Sequence, residues 1–429
     1  NAGGGTLTIS GTGFAPGVTV TIAGTACPTT SVMANQLTCT IPAKPATCGP
    51  VTVVVTNPDQ QAATNTTAFS YRGRVGFPKL TNVPNASSNS RIVAVADFNG
   101  DGKLDVANTN FNVNTLSVRN GNGDGTFGNV TTISFSGPPG AVSVGDFNDD
   151  GKPDLAVLLI TTSQVAILLG NGDGTFQPVG ARITSSGNNP AYMGVGDVNN
   201  DKKTDLVVTN ANIPGSASVL LGNNTGTFTA AVPPTVMAGN LPQVADLHDT
   251  NGDGRLDLLL LNTSSNNIGV LLGNNDGTFG TMTTFSVGMR PLFMVVADVN
   301  GDKKVDTINT NIDSGTVTIR LGDGAGGLGG AAPSSTVTVG TQPVAADVAD
   351  FDGDGRIDIV VSNFVSGTLN LLIGKGDGTF VPPDSTTTYS LTSQVGSIAA
   401  ADFNGDKRPD VIAASNNTTT LGLLLNQCQ

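Results

Sequence analysis

The stretch ADFNGDGKLD at residues 96–105 begins a pattern that recurs seven times along the chain. In each copy, Asp or Asn occupies positions 1, 3, 5 and 9 of a nine-residue loop, and successive copies start 49 to 52 residues apart. A glycine-rich turn follows in phase with the loop, as in LLGNGDGTF at 168–176. Two signals that keep the same spacing over several copies predict a repeat architecture.

Each repeat is predicted to form four β-strands. Short apolar runs flank the loop, such as IVAVAD at 92–97 and DLAVLLI at 154–160, and they suit strands that are buried on both faces. A third strand ends in the glycine-rich turn, and a more polar run such as VTTISF at 130–135 supplies the fourth. Four strands in about 50 residues, repeated seven times, predict a seven-bladed β-propeller over residues 74–429.

The ends of the repeat region predict how the ring closes. The seventh repeat stops at LLLNQCQ (423–429), after its third strand. Before the first repeat, Phe77 stands where the turn phenylalanine of a complete repeat would stand. Residues 76–83 are therefore expected to supply the outer strand of the last blade, which removes two exposed sheet edges.

Residues 1–73 follow a different pattern. Thr alternates with Val, Leu or Ile in VTVTIAGTAC (18–27) and VTVVVTNPD (51–59), as it does in half-exposed antiparallel strands. This predicts a small β-sandwich of antiparallel strands. The expected fold class is all-β, with a sandwich over 1–73 and a propeller over 74–429.

The composition excludes several classes of function. All 33 acidic residues are Asp, the net charge is −13, and no apolar run reaches the 18 residues of a membrane helix. The charge excludes a basic surface for nucleic acid. Four cysteines, at 27, 39, 48 and 428, together with the low charge content, favour a secreted, extracellular or cell-surface protein.

The loops have the chemistry of calcium sites. Ca²⁺ binds six to eight hard oxygens, and alternate residues of a tight loop can direct theirs inward together. An EF-hand would need Glu at position 12, and this chain has no Glu. Solvated turns are the alternative, but seven loops in register favour up to seven Ca²⁺ ions. The predicted ligands are Asp97, Asn99, Asp101, Asp105, Asp146, Asn148, Asp150, Asp154, Asp197, Asn199, Asp201, Asp205, Asp249, Asn251, Asp253, Asp257, Asp298, Asn300, Asp302, Asp306, Asp350, Asp352, Asp354, Asp358, Asp402, Asn404, Asp406 and Asp410.

Three further features have simpler interpretations. Lys202, Lys303 and Lys407 replace the preferred Gly at position 6, which can loosen calcium binding without abolishing it. The GDGTF turns are expected to be hairpin turns, since two of them lack the Asp. His248 is interpreted as an exposed residue in an insertion beside the fourth loop, because a lone His has no partners for zinc or catalysis.

The repeat region resembles the FG-GAP/VCBS repeats of integrin-α-like seven-bladed propellers. ADFNGDGKLD, GDFNDDGKPD at 145–154 and ADFDGDGRID at 349–358 carry this resemblance. Residues 1–73 resemble an IPT/TIG domain, on GTGF at 11–14 and LTCTIP at 37–42. The second resemblance implies a Cys27–Cys39 disulfide. It also implies that the strand usually found before the Gly3–Gly5 turn is missing.

The function expected from these features is that of a calcium-binding, non-enzymatic, extracellular structural or adhesive protein. A sandwich without its first strand leaves an open edge that a neighbour's strand could fill, which would build a surface filament. Cys48 and Cys428 could bridge the two domains or link molecules. The expected partner is protein, as a second copy or a neighbouring surface protein, or a glycan. A lectin-like propeller is the alternative, and a polysaccharide-active enzyme is disfavoured by the lack of Glu.

Overall fold

The computed structural model describes residues 5–42, 49–71, 75–85, 89–177, 182–184, 187–329, 335–391 and 394–428. The described chain is all-β, as predicted, with one short 3-10 turn at Phe111–Val113. It divides into two compact units. One unit holds residues 1–76, 352–355 and 427–429, and the other holds 77–351 and 356–426. No helix in the described residues is long and apolar enough to cross a membrane.

The first unit contains the predicted β-sandwich. One sheet has the order β1-β5-β4 and the other the order β3-β2-β6-β7. Alternate residues such as Val20, Ile22 and Leu37 fill the space between the sheets, because successive side chains of a strand point to opposite faces. The strands are β1 (Thr6–Ser10), β2 (Thr19–Ile22), β3 (Thr25–Ala26), β4 (Thr29–Val32), β5 (Gln36–Thr40), β6 (Gly49–Thr56) and β7 (Ala62–Tyr71).

The cysteine and edge predictions for this unit meet different outcomes. Cys27 and Cys39 form the disulfide implied by the resemblance, with a Cα–Cα distance of 5.5 Å. Cys48 lies outside the described residues, so its pairing stays a prediction. The expected missing strand concerns residues 1–4, which also lie outside them. Within the described part, β1 pairs with β5 only and stands at the edge of its sheet.

Two strands come before the first complete repeat, and one short strand follows the last repeat. β8 (Val75–Gly76) pairs with the final strand of the chain. β9 (Leu80–Pro84) belongs to the repeat region.

The described part of residues 77–426 contains seven four-stranded antiparallel sheets, here called blades 1 to 7. In every blade the second strand is buried along its whole length, as predicted for strands covered on both faces. The strands of the first four blades are β10 (Ser90–Ala96), β11 (Asp105–Asn110), β12 (Thr115–Arg119), β13 (Thr131–Ser134), β14 (Pro139–Gly145), β15 (Asp154–Leu159), β16 (Gln164–Leu168), β17 (Arg182–Thr184), β18 (Pro190–Gly196), β19 (Asp205–Asn210), β20 (Ser216–Gly222), β21 (Phe228–Met237), β22 (Pro242–His248), β23 (Asp257–Asn262), β24 (Asn267–Leu271) and β25 (Thr283–Ser286).

The first strands of the blades form a closed cycle. Each contacts the first strand of the next blade, and β34 of blade 7 contacts β10 of blade 1. The strands of the last three blades, with the final strand of the chain, are β26 (Pro291–Ala297), β27 (Asp306–Asn311), β28 (Thr316–Arg320), β29 (Ser335–Thr338), β30 (Pro343–Ala349), β31 (Asp358–Asn363), β32 (Thr368–Leu372), β33 (Thr388–Ser390), β34 (Val395–Ala401), β35 (Asp410–Ser415), β36 (Thr420–Leu424) and β37 (Gln427–Cys428).

Blade 7 confirms the predicted closure. Its strand order is β34-β35-β36-β9, and Leu421 lies opposite Val83 in the register. Buried side chains of blade 7 and blade 1 pack into one cluster that also contains Val83. The outer strand of the last blade is therefore supplied from the segment before the first repeat.

Candidate metal centres

The 28 predicted ligands lie in seven equivalent loops, each joining the first strand of a blade to the second. Position 1 follows the last residue of the first strand, and position 9 is the first residue of the second strand, as Asp97 and Asp105 are in blade 1. The antiparallel pairing of the two strands brings the ends of the loop together. The fold therefore closes every loop at the same two points.

Within a loop, carboxylate and amide oxygens accept hydrogen bonds from the loop's own backbone. In blade 1, Asp97 Oδ1 accepts from Gly100 N at 2.8 Å, and its Oδ2 accepts from Gly102 N at 2.8 Å. Asn99 Oδ1 accepts from Asp101 N at 2.9 Å. These bonds turn the side chains of positions 1 and 3 towards the inside of the loop, which is the arrangement that a cation site requires. The same bonds are also those of an ordinary Asp/Asn turn.

The Asp at position 9 holds two backbone segments together. In blade 2, Asp154 Oδ2 accepts from Phe147 N at 2.8 Å, and Oδ1 accepts from Gly170 N at 2.7 Å. Phe147 is position 2 of the loop, and Gly170 begins the turn after the third strand. All seven blades repeat this pair of bonds. Position 9 is thus a buried clamp between loop and turn, a role that the sequence argument missed.

The partner of this clamp has to be glycine in six of the blades. A Cβ atom on Gly170 would collide with the carbonyl oxygen of Pro153. In each of the other five blades, the equivalent glycine faces the corresponding carbonyl of its own blade. Only the last blade departs from this, because Asn426 donates to Asp410 there. The clamp left a signal in the sequence, since six blades place the donor 16 residues after the Asp.

Every loop also carries a basic residue at position 7. Lys203 Nζ lies 2.8 Å from Asp201 Oδ2, and the hydrogen bond from this ammonium lowers the pKa of the Asp201 carboxyl. Similar pairs at 3.4 to 3.9 Å occur in blades 1, 2, 4 and 5. The seven residues are Lys103, Lys152, Lys203, Arg255, Lys304, Arg356 and Arg408. In blades 1 to 5 a partly exposed cation therefore lies beside the carboxylate of position 5.

Burial raises the pKa of five position-9 carboxyls, namely those of Asp105, Asp154, Asp205, Asp306 and Asp410. The pKa reaches about 7 for Asp410 and about 6 for Asp205 and Asp306, and the negative charges of positions 1 and 5 contribute to this rise. A cation at the centre of the loop would reverse this effect, because it favours the ionised carboxylate. The electrostatics of the loops thus fit a bound cation.

The loop of blade 6 brings its carboxylates closest together. Oxygen atoms of Asp350, Asp352 and Asp358 lie within 4.8 Å of one another, the one such group found among the described residues. This loop has Asp at position 3, where the other six have Asn. Hard oxygens at this spacing, without thiolate or imidazole, suit Ca²⁺ better than Zn²⁺.

The three position-6 lysines adopt the backbone conformation that glycine adopts elsewhere. Lys303 has a φ of +65°, and its N–H donates to Asp298 Oδ2 at 2.7 Å, as Gly102 does to Asp97. The lysines therefore preserve the loop path. They do so in a left-handed conformation that costs an ordinary residue about 1–2 kcal/mol.

The GDGTF turns behave as hairpin turns. Asp173 Oδ1 accepts from Thr175 N at 2.9 Å, and Gly170 and Phe176 form a β-bridge. The turns also join neighbouring blades, because Gly174 N donates to Phe98 O at 3.0 Å and the Phe98 and Phe176 rings pack edge to face. The carboxylate of the turn is thus used in the turn's own hydrogen bonds.

The interpretation of His248 as a loop residue is wrong. His248 ends strand β22, opposite Asp257, in the register that Ala96 occupies in blade 1, so blade 4 has no insertion. The side chain is half-buried, and its Nε2 lies 3.3 Å from Asp246 Oδ1. The sequence prediction failed because a polar residue next to an Asp loop suggests a loop residue, whereas the last position of this strand accepts a polar side chain.

The charge of the protein is concentrated in these loops. The seven nine-residue loops hold 23 of the 33 acidic residues and 10 of the 20 basic residues. Their net charge of −13 equals that of the whole chain, since the remaining acids and bases balance.

Several solved structures share this fold at low sequence identity. The BBS1 N-terminal domain in complex with ARL6 has a TM-score of 0.57 at 12% identity, covering 84% of this chain and 98% of that one. Virginiamycin B lyase from Staphylococcus aureus has a TM-score of 0.53 at 13% identity, covering 80% and 98%. Among curated proteins, none matches this chain by sequence. At such identities the likeness concerns the fold alone.

Two family models match the chain itself. The IPT/TIG domain matches residues 1–71. The FG-GAP-like repeat matches six overlapping segments that begin at residue 97 and end at residue 413, which is more than half of the chain. The chain therefore belongs to the FG-GAP-like repeat family, and an IPT/TIG domain precedes its repeats.

Proposed function

We propose that this protein is an extracellular, non-enzymatic structural or adhesive protein whose seven Asp loops bind Ca²⁺. The observation that carries the proposal is the carboxylate group of Asp350, Asp352 and Asp358, set in a loop that recurs in every blade. The Cys27–Cys39 disulfide supports an oxidising compartment outside the cell.

The loops are placed so that a bound ion would stiffen the propeller. Position 9 already links the loop to the turn of its own blade, as Asp154 does with Gly170. That turn also forms a hydrogen bond to the preceding blade, as Gly174 N does to Phe98 O. Ca²⁺ would supply a fixed positive charge where three or four carboxylates otherwise repel each other. The side chains of positions 1, 3, 5 and 9 would hold it.

Calorimetry and metal analysis test the calcium proposal. Protein that binds an ion only in its folded state is stabilised by that ion, so removal of calcium should lower the melting temperature. Elemental analysis after dialysis should find several calcium ions per chain. The proposal would be refuted if the melting temperature stayed unchanged in excess EGTA and elemental analysis found no bound calcium.

The finer proposal is that the protein is the subunit of a surface filament. Strand β1 stands at the edge of its sheet, and a strand from a second copy could extend that sheet. Repetition of such a head-to-tail contact produces an open fibre. Electron microscopy of concentrated protein should then show filaments, whereas monomers alone would speak against self-assembly.

A lectin-like function is the second candidate, and the aromatic residues weigh against it. Sugar sites commonly use exposed Trp or Tyr, and the chain has no Trp and three Tyr. Tyr389 packs against Phe77, and Tyr192 is half-buried among the first strands. A glycan array probed with and without calcium decides this question, and a reproducible calcium-dependent hit would favour the lectin.

A further inference from the structure

The propeller has a second candidate site on its axis, at the end away from the Asp loops. A cavity of about 570 Å³ is lined by residues from all seven first strands, including Arg91, Tyr192 and Phe293. Only a cavity on the axis can touch every first strand. Its residues lie near the start of these strands, while the Asp loops follow their ends.

Two carboxylates lie further along the first strands, between the cavity and the Asp loops. Val244 lines the cavity, and Asp246 is two residues further along β22 on the same side of the strand. Asp347 occupies the equivalent place in blade 6, since both residues lie opposite the third residue of the next strand. Asp246 and Asp347 therefore face the axis at one level, below the cavity.

Both carboxylates accept hydrogen bonds from backbone N–H groups. Asp347 Oδ2 accepts from Ala400 N at 2.7 Å and Oδ1 from Val348 N at 2.8 Å, and no described cation pairs with it. Asp246 contacts the imidazole of His248. At the same level, the other five first strands carry Ala, Ser, Gly, Val and Ala. Asp347 is half-buried. A partly buried carboxylate that lacks a counter-ion carries an energetic cost, so this position is a candidate for function.

The negative potential of the two carboxylates reaches the cavity. Burial raises the pKa of the Tyr192 hydroxyl to about 12, and the charges of Asp246 and Asp347 add to this rise. The Tyr192 and Phe293 rings pack edge to face with centroids 6.2 Å apart. Both rings line the cavity, so a ligand inside it would contact aromatic surface and lie close to two negative charges.

A single positive charge faces the cavity from its rim. Among the seven first strands, Arg91 is the only Arg or Lys, and it lines the cavity. Its guanidinium lies 3.7 Å from the centre of the Phe111 ring, and no described carboxylate pairs with it. Arg91 and the residues Gln243 and Gln342 thus line the cavity, while the two carboxylates lie further along their strands, towards the Asp loops.

We propose that this axial cavity binds a small zwitterion, with the ligand's ammonium group towards Asp246 and Asp347 and its carboxylate towards Arg91. The separation of the two charges selects a molecule that carries both signs. An amino acid or a short peptide has this chemistry and fits the volume. The site is separate from the calcium loops and does not depend on the function proposed for them.

Titration calorimetry with four simple probes tests the proposal on the wild-type protein. The probes are 6-aminohexanoate, hexylamine, hexanoate and glucose, each added in calcium buffer and again in EGTA. We expect 6-aminohexanoate to bind saturably and at least about tenfold more tightly than the two single-charge probes, since tenfold corresponds to about 1.4 kcal/mol. The same preference in both buffers would separate this site from the calcium loops.

Three variants assign the two ends of the ligand. Asp347→Asn and Asp246→Asn should each weaken 6-aminohexanoate about tenfold and leave hexanoate unchanged. Arg91→Gln should weaken 6-aminohexanoate and hexanoate but not hexylamine. Asp59→Asn, an exposed turn residue in the other unit, is the matched control and should change nothing.

The proposal fails on any of three results. These are no saturable heat with 6-aminohexanoate at about 10 mM, equal affinity for hexylamine, or tighter binding of glucose. The last result would indicate a neutral sugar site instead. Because the probe series needs no variant, misfolding of Asp347→Asn would not protect the proposal from this test.

Discussion

The carboxylate of Asp154, at the start of the second strand of blade 2, accepts the N–H of Gly170 at 2.7 Å, in the turn after the third strand and at a glycine that no larger residue could replace. Asp154 is therefore part of the fold before it is part of any metal site. Its two oxygens fix the loop and the turn, and a cation would be added to a framework that is already connected.

Asp154→Asn separates these two roles. The amide keeps one acceptor, but its NH₂ group then faces a backbone N–H, and a buried unsatisfied donor costs about 1–3 kcal/mol. We expect urea denaturation of the calcium-free variant to show this loss. Asp150→Asn, at the more exposed position 5, should cost less than about 1 kcal/mol without calcium and should still weaken calcium binding. Equal losses for the two variants without calcium would contradict the clamp.

Lys303→Gly should stabilise the protein. The φ of +65° strains a lysine and suits glycine, so we expect a gain of about 1 kcal/mol in urea denaturation. Removal of the ammonium from an acidic loop should also tighten calcium binding at that loop. Lys304→Gly is the control, because Lys304 Nζ pairs with Asp302 at 3.5 Å and its φ is not positive. A stabilising Lys304→Gly would show that strain is not the cause.

The stability of the calcium-free protein should fall as the pH rises from about 4 to about 7. An unfolded Asp has a pKa of about 3.9, whereas the folded Asp410 carboxyl has a pKa of about 7. The folded state binds this proton more tightly, so the contribution is complete below the unfolded pKa and is lost as the pH approaches 7.

Chelator-stripped protein, desalted and unfolded with urea at several pH values, gives this profile. Asp410→Asn removes one titrating group and should flatten the profile. Calcium affinity should rise over the same range, because calcium needs the ionised carboxylate. Stability that increases towards pH 7 in calcium-free protein would overturn the prediction.

Phe77→Ala should weaken the closure of the ring. Phe77 is 5% exposed and packs against Phe351 with ring centroids 6.0 Å apart, as Phe176 packs against Phe98. Truncation of a buried Phe costs about 3–5 kcal/mol, which urea denaturation measures. Val232→Ala is the surface control, at 89% exposure, and should stay within about 0.5 kcal/mol. A loss of stability no larger than that of this control would mean that the closing pair of strands, β9 and β36, does not depend on Phe77.

Thr8→Pro tests the filament through the free edge of β1. Gly5 and Gly11 bond to the neighbouring strand, so the alternate residue Thr8 directs its N–H away from β5. Proline removes that donor and should abolish filaments seen by electron microscopy while the disulfide-linked sandwich stays folded. Thr8→Ala keeps the N–H and should keep the filaments. Filaments in both variants would place the contact elsewhere.

The sequence was sufficient for the strand order because local patterns determine it. Apolar runs such as 155–160 predicted buried second strands, and the position of Phe77 predicted the closing strand. The clamp by Asp154 was missed because its partner is a backbone N–H, which has no signature in residue type. The fixed 16-residue spacing to Gly170 was the one available signal.

The axial residues were missed for a different reason. Asp246 and Asp347 stand alone in short apolar strands, and nothing local shows that strands about 100 residues apart in sequence face the same axis. Only the closed cycle of first strands places them at one level. His248 was misplaced because it directly precedes Asp249, the first residue of the loop.

The pairing of β9 with β36 also sets an order in biosynthesis. A growing chain emerges from its N-terminal end, so β9 is made more than 300 residues before its partner. Until β36 is synthesised, the ring has two unpaired edges and cannot complete its seventh sheet. A chain that stops early is therefore left open, with edges that invite aggregation, and only a finished copy is a closed molecule.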